Sequence, residues 1–163
     1  MVLQLSALQV QQLIAHATRT YPEECCGLLL GHLTPDRLFK QATKTKKVTK
    51  VWETVNAWNP EVGAELTAII HHIGIGKRDR FWIDPQDLLT AQRYARDHQL
   101  NIVGVYHSHP DHPAVPSESD RRLAWSDYSY LILSVRSGVV SDYRCWTLDD
   151  QQQFRAEEVR TQQ

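Results

Sequence analysis

Apolar residues recur at helical spacing in two parts of the chain. The first stripe follows Ser6, a residue type that caps helix N-termini, and ends before Pro22. The second follows Asp84-Pro85, which places an N-cap before a proline at the first helical position. These patterns predict helices over about 7–20 and 85–98.

Short apolar runs between turn residues predict a series of strands. Their ranges are 25–33, 37–43, 48–56, 101–106, 128–135, 139–148 and 153–159. A further short helix is predicted to begin at Ser117, after a loop that contains several prolines. Helices and strands alternate, so we expect one mixed β-sheet flanked by helices in a sandwich-like α/β (α+β) domain. This single domain covers residues 1–163, with its core over about 5–159 and a short polar tail.

The overall charge is nearly balanced, with a formal net charge of −1. This balance argues against nucleic acid or an anionic membrane as a partner. No run approaches the roughly 18 uninterrupted apolar residues of a membrane span, and the first residues lack the regions of a signal peptide. The chain has three cysteines, an odd number, which are interpreted as reduced core residues: Cys25, Cys26 and Cys145. We therefore expect a cytoplasmic protein.

Two local features have more than one interpretation. A basic cluster fits either a solvated strand edge, where lysines discourage pairing, or a docking patch for an acidic partner. Its members are Lys44, Lys46, Lys47 and Lys50. Segment 59–80 contains an apolar run and then Gly74 and Gly76, which indicates either a core helix or a mobile cover over an active site. A second metal at His71 and His72 is an open alternative.

The segment His107-Ser108-His109-Pro110 carries the strongest chemical signal in the chain. At a strand end, the period of two directs both imidazoles to the same side. Asp120 follows the second histidine, and Ser117 stands three positions before Asp120. As local structure, Ser117 is a helix N-cap and Asp120 a first-turn carboxylate. Two neutral imidazoles and one carboxylate leave the fourth tetrahedral position of zinc open to water, which predicts a zinc hydrolase.

The pattern His-Ser-His-Pro-x6-Ser-x-x-Asp resembles the motif of the JAMM (MPN-plus) zinc metalloprotease family. That family also carries a distant glutamate at an early strand, often within Pro-x-Glu-x-Cys-Gly-Leu-Leu. The stretch from Pro22 to Gly31 matches this form and puts Glu24 at the position of the glutamate. The resemblance spans about residues 5–159 with both motifs intact. It implies an MPN/JAMM-like fold and one Zn²⁺ per chain, at a strand end and a helix N-terminus.

The resemblance also implies a role for each motif residue. His107, His109 and Asp120 would ligate zinc. Glu24 would activate the zinc-bound water and shuttle its proton. Ser117 would donate a hydrogen bond to the oxyanion of the tetrahedral intermediate.

Residues beside the two motifs are interpreted more simply. Glu23 is expected to point away from the metal, because adjacent strand residues face opposite sides. His112 lies in the motif loop but outside the pattern and is interpreted as a surface or substrate-contacting residue. Segment 59–80 is the other candidate for substrate binding.

The resemblance predicts a peptidase or isopeptidase that hydrolyses an amide bond at the C-terminal tail of a ubiquitin-like or sulfur-carrier protein. The alternatives are a non-catalytic MPN-type scaffold and a peptidase of cell-wall or phage-tail type. A nucleoside deaminase is excluded because its His-x-Glu and Pro-Cys-x-x-Cys signatures are absent. A barrel amidohydrolase is excluded because an eightfold barrel needs about 250 residues.

Overall fold

The computed structural model describes residues 1–35, 44–66 and 76–162. The strands are β1 (Val2–Ser6), β2 (Cys26–Pro35), β3 (Lys44–Thr54), β4 (Asn101–Pro110), β5 (Ser129–Arg136), β6 (Val139–Leu148) and β7 (Phe154–Gln162). The helices are α1 (Ala7–Thr20), α2 (Pro60–Leu66), α3 (Pro85–Asp97) and α4 (Glu118–Leu123). The predicted helices and strands from α1 onward match the observed ones to within a few residues. Helix α2 was not predicted as such, because the sequence leaves the structure of segment 59–80 open, and the predicted strand 37–43 lies outside the described residues.

The strands form a closed barrel in the order β1-β3-β2-β4-β5-β6-β7. Strand β1 pairs parallel with both β3 and β7 and so closes the sheet. Strands β4 and β5 are also parallel, and the remaining neighbours are antiparallel. The predicted mixed sheet flanked by helices is confirmed. Its closure into a barrel was not predicted, because the short strand β1 was not predicted.

Two hydrophobic clusters hold the helices against the barrel. The larger contains Leu13 and Ala17 of α1 together with side chains of all seven strands. The smaller packs α3 through Ala91 and Ala95 onto Leu28 of β2 and its neighbours. Ser6 and Gln9 form a capping box at the start of α1, as its sequence predicts. The three cysteines are free and buried, which confirms them as core residues.

The basic cluster is not a solvated strand edge, because β3 lies between β1 and β2. Lys46 is 0% exposed and donates from Nζ to Ser129 Oγ at 3.0 Å. Ser129 in turn donates to Glu157 Oε2 at 2.6 Å. Lys44 and Lys47 are exposed. The ammonium group of Lys50 lies over the rings of Trp52 and Tyr94.

Segment 59–80 is described only at its two ends. Its first part forms α2, and its last residues lie beside the loop that carries Glu24, since Glu24 N donates to Lys77 O at 2.8 Å. His71, His72 and Gly74 lie outside the described residues. Within the described ranges, no helix has the length and apolar character needed to cross a membrane.

Candidate metal centre

The two motif histidines lie on the last part of β4, which extends to Pro110 rather than ending at residue 106. They are alternate residues of one strand and therefore face the same side of the sheet. Their Nε2 atoms are 3.0 Å apart, and both side chains are almost fully buried. The sequence places the rings correctly, although the strand is longer than predicted.

Asp120 reaches the histidines from the first turn of α4. Ser117 is the N-cap of this helix, and its Oγ accepts from Asp120 N at 3.1 Å. In return, Asp120 Oδ2 accepts from Ser117 N at 2.6 Å. This capping box confirms the predicted helix start and orients the carboxylate. Because Ser117 Oγ accepts in this contact, its own proton remains available for donation to another group.

The three donors suit a single metal ion. Asp120 Oδ1 is 3.4 Å from His107 Nε2, and Asp120 Oδ2 is 3.6 Å from His109 Nε2. Ligand atoms about 2.0–2.1 Å from a tetrahedral zinc lie about 3.3 Å from each other, so these spacings fit. His109 Nδ1 is 2.9 Å from the carbonyl oxygen of Pro113, which fixes the Nδ1–H tautomer. The lone pair of Nε2 is therefore available to coordinate a metal ion. Among the described residues, these form the one group of three His, Cys, Asp or Glu side chains that could hold a metal ion.

The protonation states at this site also suit a metal ion. Burial lowers the pKa of His107, despite the opposing effect of Asp120, and so keeps the imidazole neutral. Burial alone would raise the pKa of Asp120, but the neighbouring His107 and His109 hold it well below its usual range. A neutral imidazole beside an ionised carboxylate is the form that coordinates a cation. His107 also stacks on Phe81, with ring centroids 4.5 Å apart, which orients its ring.

Glu24 is only 5% exposed and lies just before β2, whereas its neighbour Glu23 is exposed. Burial raises the pKa of Glu24 well above its usual range, and the charge of Asp120 raises it further. A carboxyl group with a raised pKa can accept and return a proton near neutral pH. The structure thus buries the one member of the Glu23–Glu24 pair that the motif selects.

Ser108 joins the histidine strand to the residue that follows Glu24. Its Oγ accepts from Cys25 N at 2.8 Å, and its own amide donates to Cys25 O at 3.1 Å. Strands β2 and β4 continue this contact as an antiparallel ladder in which Cys26 pairs with His107. The middle residue of His-Ser-His therefore sets the position of the glutamate relative to the ligands.

Asn56 is a site residue that sequence reasoning missed. It is 5% exposed, and its Nδ2 donates to Glu24 O at 3.0 Å and to Arg80 O at 2.9 Å. Its Oδ1 accepts from Trp58 N at 3.0 Å and from Trp82 N at 3.1 Å. The amide thus uses both donor hydrogens and both acceptor sites, and it ties three segments together around Glu24.

Two pockets flank the ligand set, and both are lined by Glu24, Asp79 and Arg80. The apolar pocket, about 360 Å³, extends from His107 and Asp120 over mainly aromatic and aliphatic side chains. The second pocket, about 320 Å³, has more polar lining residues and borders the site at His109 and Ser117; it is called the polar pocket below. The remaining residues that line the polar pocket are His109, His112, Pro113, Val115 and Ser117. His112 is exposed in the motif loop, as expected.

A family model described as prokaryotic homologs of the JAB domain matches residues 7–149. The barrel, with its donor set on β4 and α4, is the JAB/MPN-like fold, and the chain belongs to this family. The resemblance seen in the sequence is confirmed.

Individual relatives agree with this assignment. The CysO-cysteine peptidase of Mycobacterium tuberculosis is 27% identical over 150 residues, which cover 91% of this chain and 84% of the relative. The desampylase of Haloferax volcanii is 32% identical over 114 residues, covering 69% of this chain and 63% of the relative. A solution structure of a Desulfitobacterium hafniense protein matches with a TM-score of 0.73 at 26% identity, covering 100% of this chain and 94% of the other.

Proposed function

We propose that the protein is a zinc-dependent peptidase that hydrolyses an amide bond at the C-terminal tail of a ubiquitin-like or sulfur-carrier protein. The observation that carries this proposal is the convergence of three metal donors beside the buried Glu24. His107, His109 and Asp120 would hold the metal. When bound, zinc would polarise the scissile carbonyl and lower the pKa of a coordinated water.

The side chains around the metal have separate tasks in this reaction. Glu24 takes a proton from the attacking water and returns it to the leaving amine, which its raised pKa favours. Ser117 donates a hydrogen bond from its hydroxyl group to the carbonyl oxygen that becomes negatively charged. The carbonyl carbon gains the water's hydroxyl group as the C–N bond breaks, so the products are a free carboxylate and a free amine.

Two of the relatives support the substrate class. One is named as a CysO-cysteine peptidase and the other as a desampylase. The shape of the site is compatible with a tail, because two pockets border both Glu24 and the metal donors. We include segment 59–80 and His112 in the substrate-binding region, since Asp79, Arg80 and His112 line these pockets.

The test is to incubate the zinc-loaded protein with tail-extended ubiquitin-fold proteins and to identify the products by mass spectrometry. Metal analysis of the purified protein accompanies it. We expect close to one equivalent of zinc and one cleavage within the tail. Substoichiometric zinc together with an uncleaved tail would favour the non-catalytic scaffold instead.

A further inference from the structure

The apolar pocket beside the proposed metal ligands is larger and less polar than the main chain of an extended tail requires. Its lining includes Leu28, Val105 and Leu88, which belong to β2, β4 and α3. Such a surface binds apolar groups by excluding water. The main chain of a tail offers amides and carbonyls but no apolar group that fills this space.

The rim of the same pocket exposes apolar side chains to solvent. Trp125 is 58% exposed and Leu123 is 38% exposed, at the end of the helix whose first turn carries Asp120. Trp58 and Trp82 also line this pocket. Exposed aromatic residues around a concave apolar surface are typical of binding sites rather than of the folding core.

We propose that this pocket is the subsite for a large apolar or aromatic side chain on the amine side of the scissile bond, so that the leaving residue fills it. This inference rests on the proposed function and specifies its substrate. The polar pocket would then take the main chain of the tail on the acyl side. About 360 Å³ lies near the lower end of the range for small-molecule sites, which suits one bulky residue.

The kinetic test compares ubiquitin-fold carriers that differ only in their last three residues. Tails ending in Gly-Gly-Phe and Gly-Phe-Gly have the same composition but place the phenyl group on opposite sides of the bond before the last residue. We expect kcat/KM for Gly-Gly-Phe to exceed that for Gly-Phe-Gly and for Gly-Gly-Gly by about 10- to 100-fold. Equal rates, or a preference for Gly-Phe-Gly, would overturn the assignment.

Variants locate the preference in the pocket. Trp125→Ala removes an exposed part of the rim and should reduce the ratio of kcat/KM for Gly-Gly-Phe to kcat/KM for Gly-Gly-Gly several-fold. Leu8→Ala, at a residue of α1 that is 77% exposed and outside the pocket, is the matched control and should preserve the preference. An unchanged preference in Trp125→Ala would argue against this subsite.

A binding experiment separates this inference from the proposed function. Three of the five tryptophans line the pocket, so titration of the metal-free protein with L-phenylalanine should change its fluorescence with a Kd of about 1 mM, whereas glycine should not. If no tail is hydrolysed, the proposed function fails while this titration still decides the subsite. Tryptophan fluorescence that L-phenylalanine leaves unchanged would refute the inference.

Discussion

Replacing Asn56 tests whether the main chain of the proposed base must be held in place. Asn56→Ala removes four hydrogen bonds, of which those to Glu24 O and from Trp58 N are fully buried. Glu24 keeps the hydrogen bond from its amide nitrogen to Lys77 O, but its carbonyl oxygen loses the hydrogen bond from Asn56. We expect a protein that folds and binds zinc normally but hydrolyses its substrate slowly.

The size of the effect follows from the groups left without partners. Each buried, unsatisfied polar group costs about 1–3 kcal/mol, while the half-buried groups of Arg80 and Trp82 can bond to water. Partial entry of water reduces the total to about 2–4 kcal/mol of unfolding free energy. For a chain of this length that corresponds to a decrease in Tm of about 4–16 °C. A displacement of Glu24 by a fraction of an ångström to 1 Å should lower kcat about 10- to 100-fold.

The assay combines calorimetric melting, zinc analysis and steady-state kinetics at a temperature well below Tm. Asn56→Asp keeps the side-chain volume but loses both donor hydrogens, so a similar effect would assign the loss to hydrogen bonding rather than to a cavity. Asn101→Ala, at an exposed position at the start of β4, is the control. A normal kcat in folded Asn56→Ala would refute the positioning role, even if the protein were less stable.

Four further predictions follow from contacts described above. Glu24→Gln should retain zinc and lose hydrolysis by about 10²- to 10⁴-fold. Burial raises the pKa of Glu24 in the folded protein. The stability that the protonated carboxyl group contributes is therefore lost as pH rises from its unfolded-state pKa through its folded-state pKa. The metal-free Glu24→Gln variant should thus have a higher Tm than the metal-free wild type at pH 8 and the same Tm at pH 4. His109→Ala should lose both zinc and hydrolysis, as metal analysis and the product assay would show. Ser117→Gly preserves a good N-cap but removes the hydroxyl, so Tm should change little while kcat falls about 10²- to 10³-fold; an undiminished kcat would exclude the oxyanion role. Lys46→Met should lower the free energy of unfolding by about 3–5 kcal/mol, because the carboxylate of Glu157 then stays buried without the Lys46 cation. Adding Glu157→Leu should recover part of this loss, as measured by denaturant unfolding. Strictly additive losses in the double variant would contradict the coupling.

The parts of the fold that depend on local signals could be predicted from the sequence. Ser6 and Asp84-Pro85 marked two helix starts correctly, because a cap acts within one turn. His107 and His109 could be placed on one face, because the period of two belongs to any strand. The position of Glu24 came from the family motif, and the structure adds its burial.

Non-local features could not be predicted in this way. Strand β1 is held by hydrogen bonds to β3 and β7, which lie on either side of it. Both partners are distant in sequence, and the five residues of β1 do not by themselves indicate them. The sequence around Lys46 does not distinguish it from its exposed lysine neighbours. Its burial and its hydrogen bond to Ser129 depend on the packing of distant strands. The role of Asn56 could not be predicted, because its hydrogen-bond partners are main-chain groups, which do not depend on the identity of the partner residues.

The hydrogen bonds of Ser108 to Cys25 have a consequence for metal exchange. They involve no metal ligand, so they hold the histidine strand against the glutamate segment in the metal-free protein as well. Small zinc domains unfold without their ion because they have little other core. This barrel has a core of its own, so we expect removal and return of the ion to switch catalysis off and on without a cycle of unfolding and refolding.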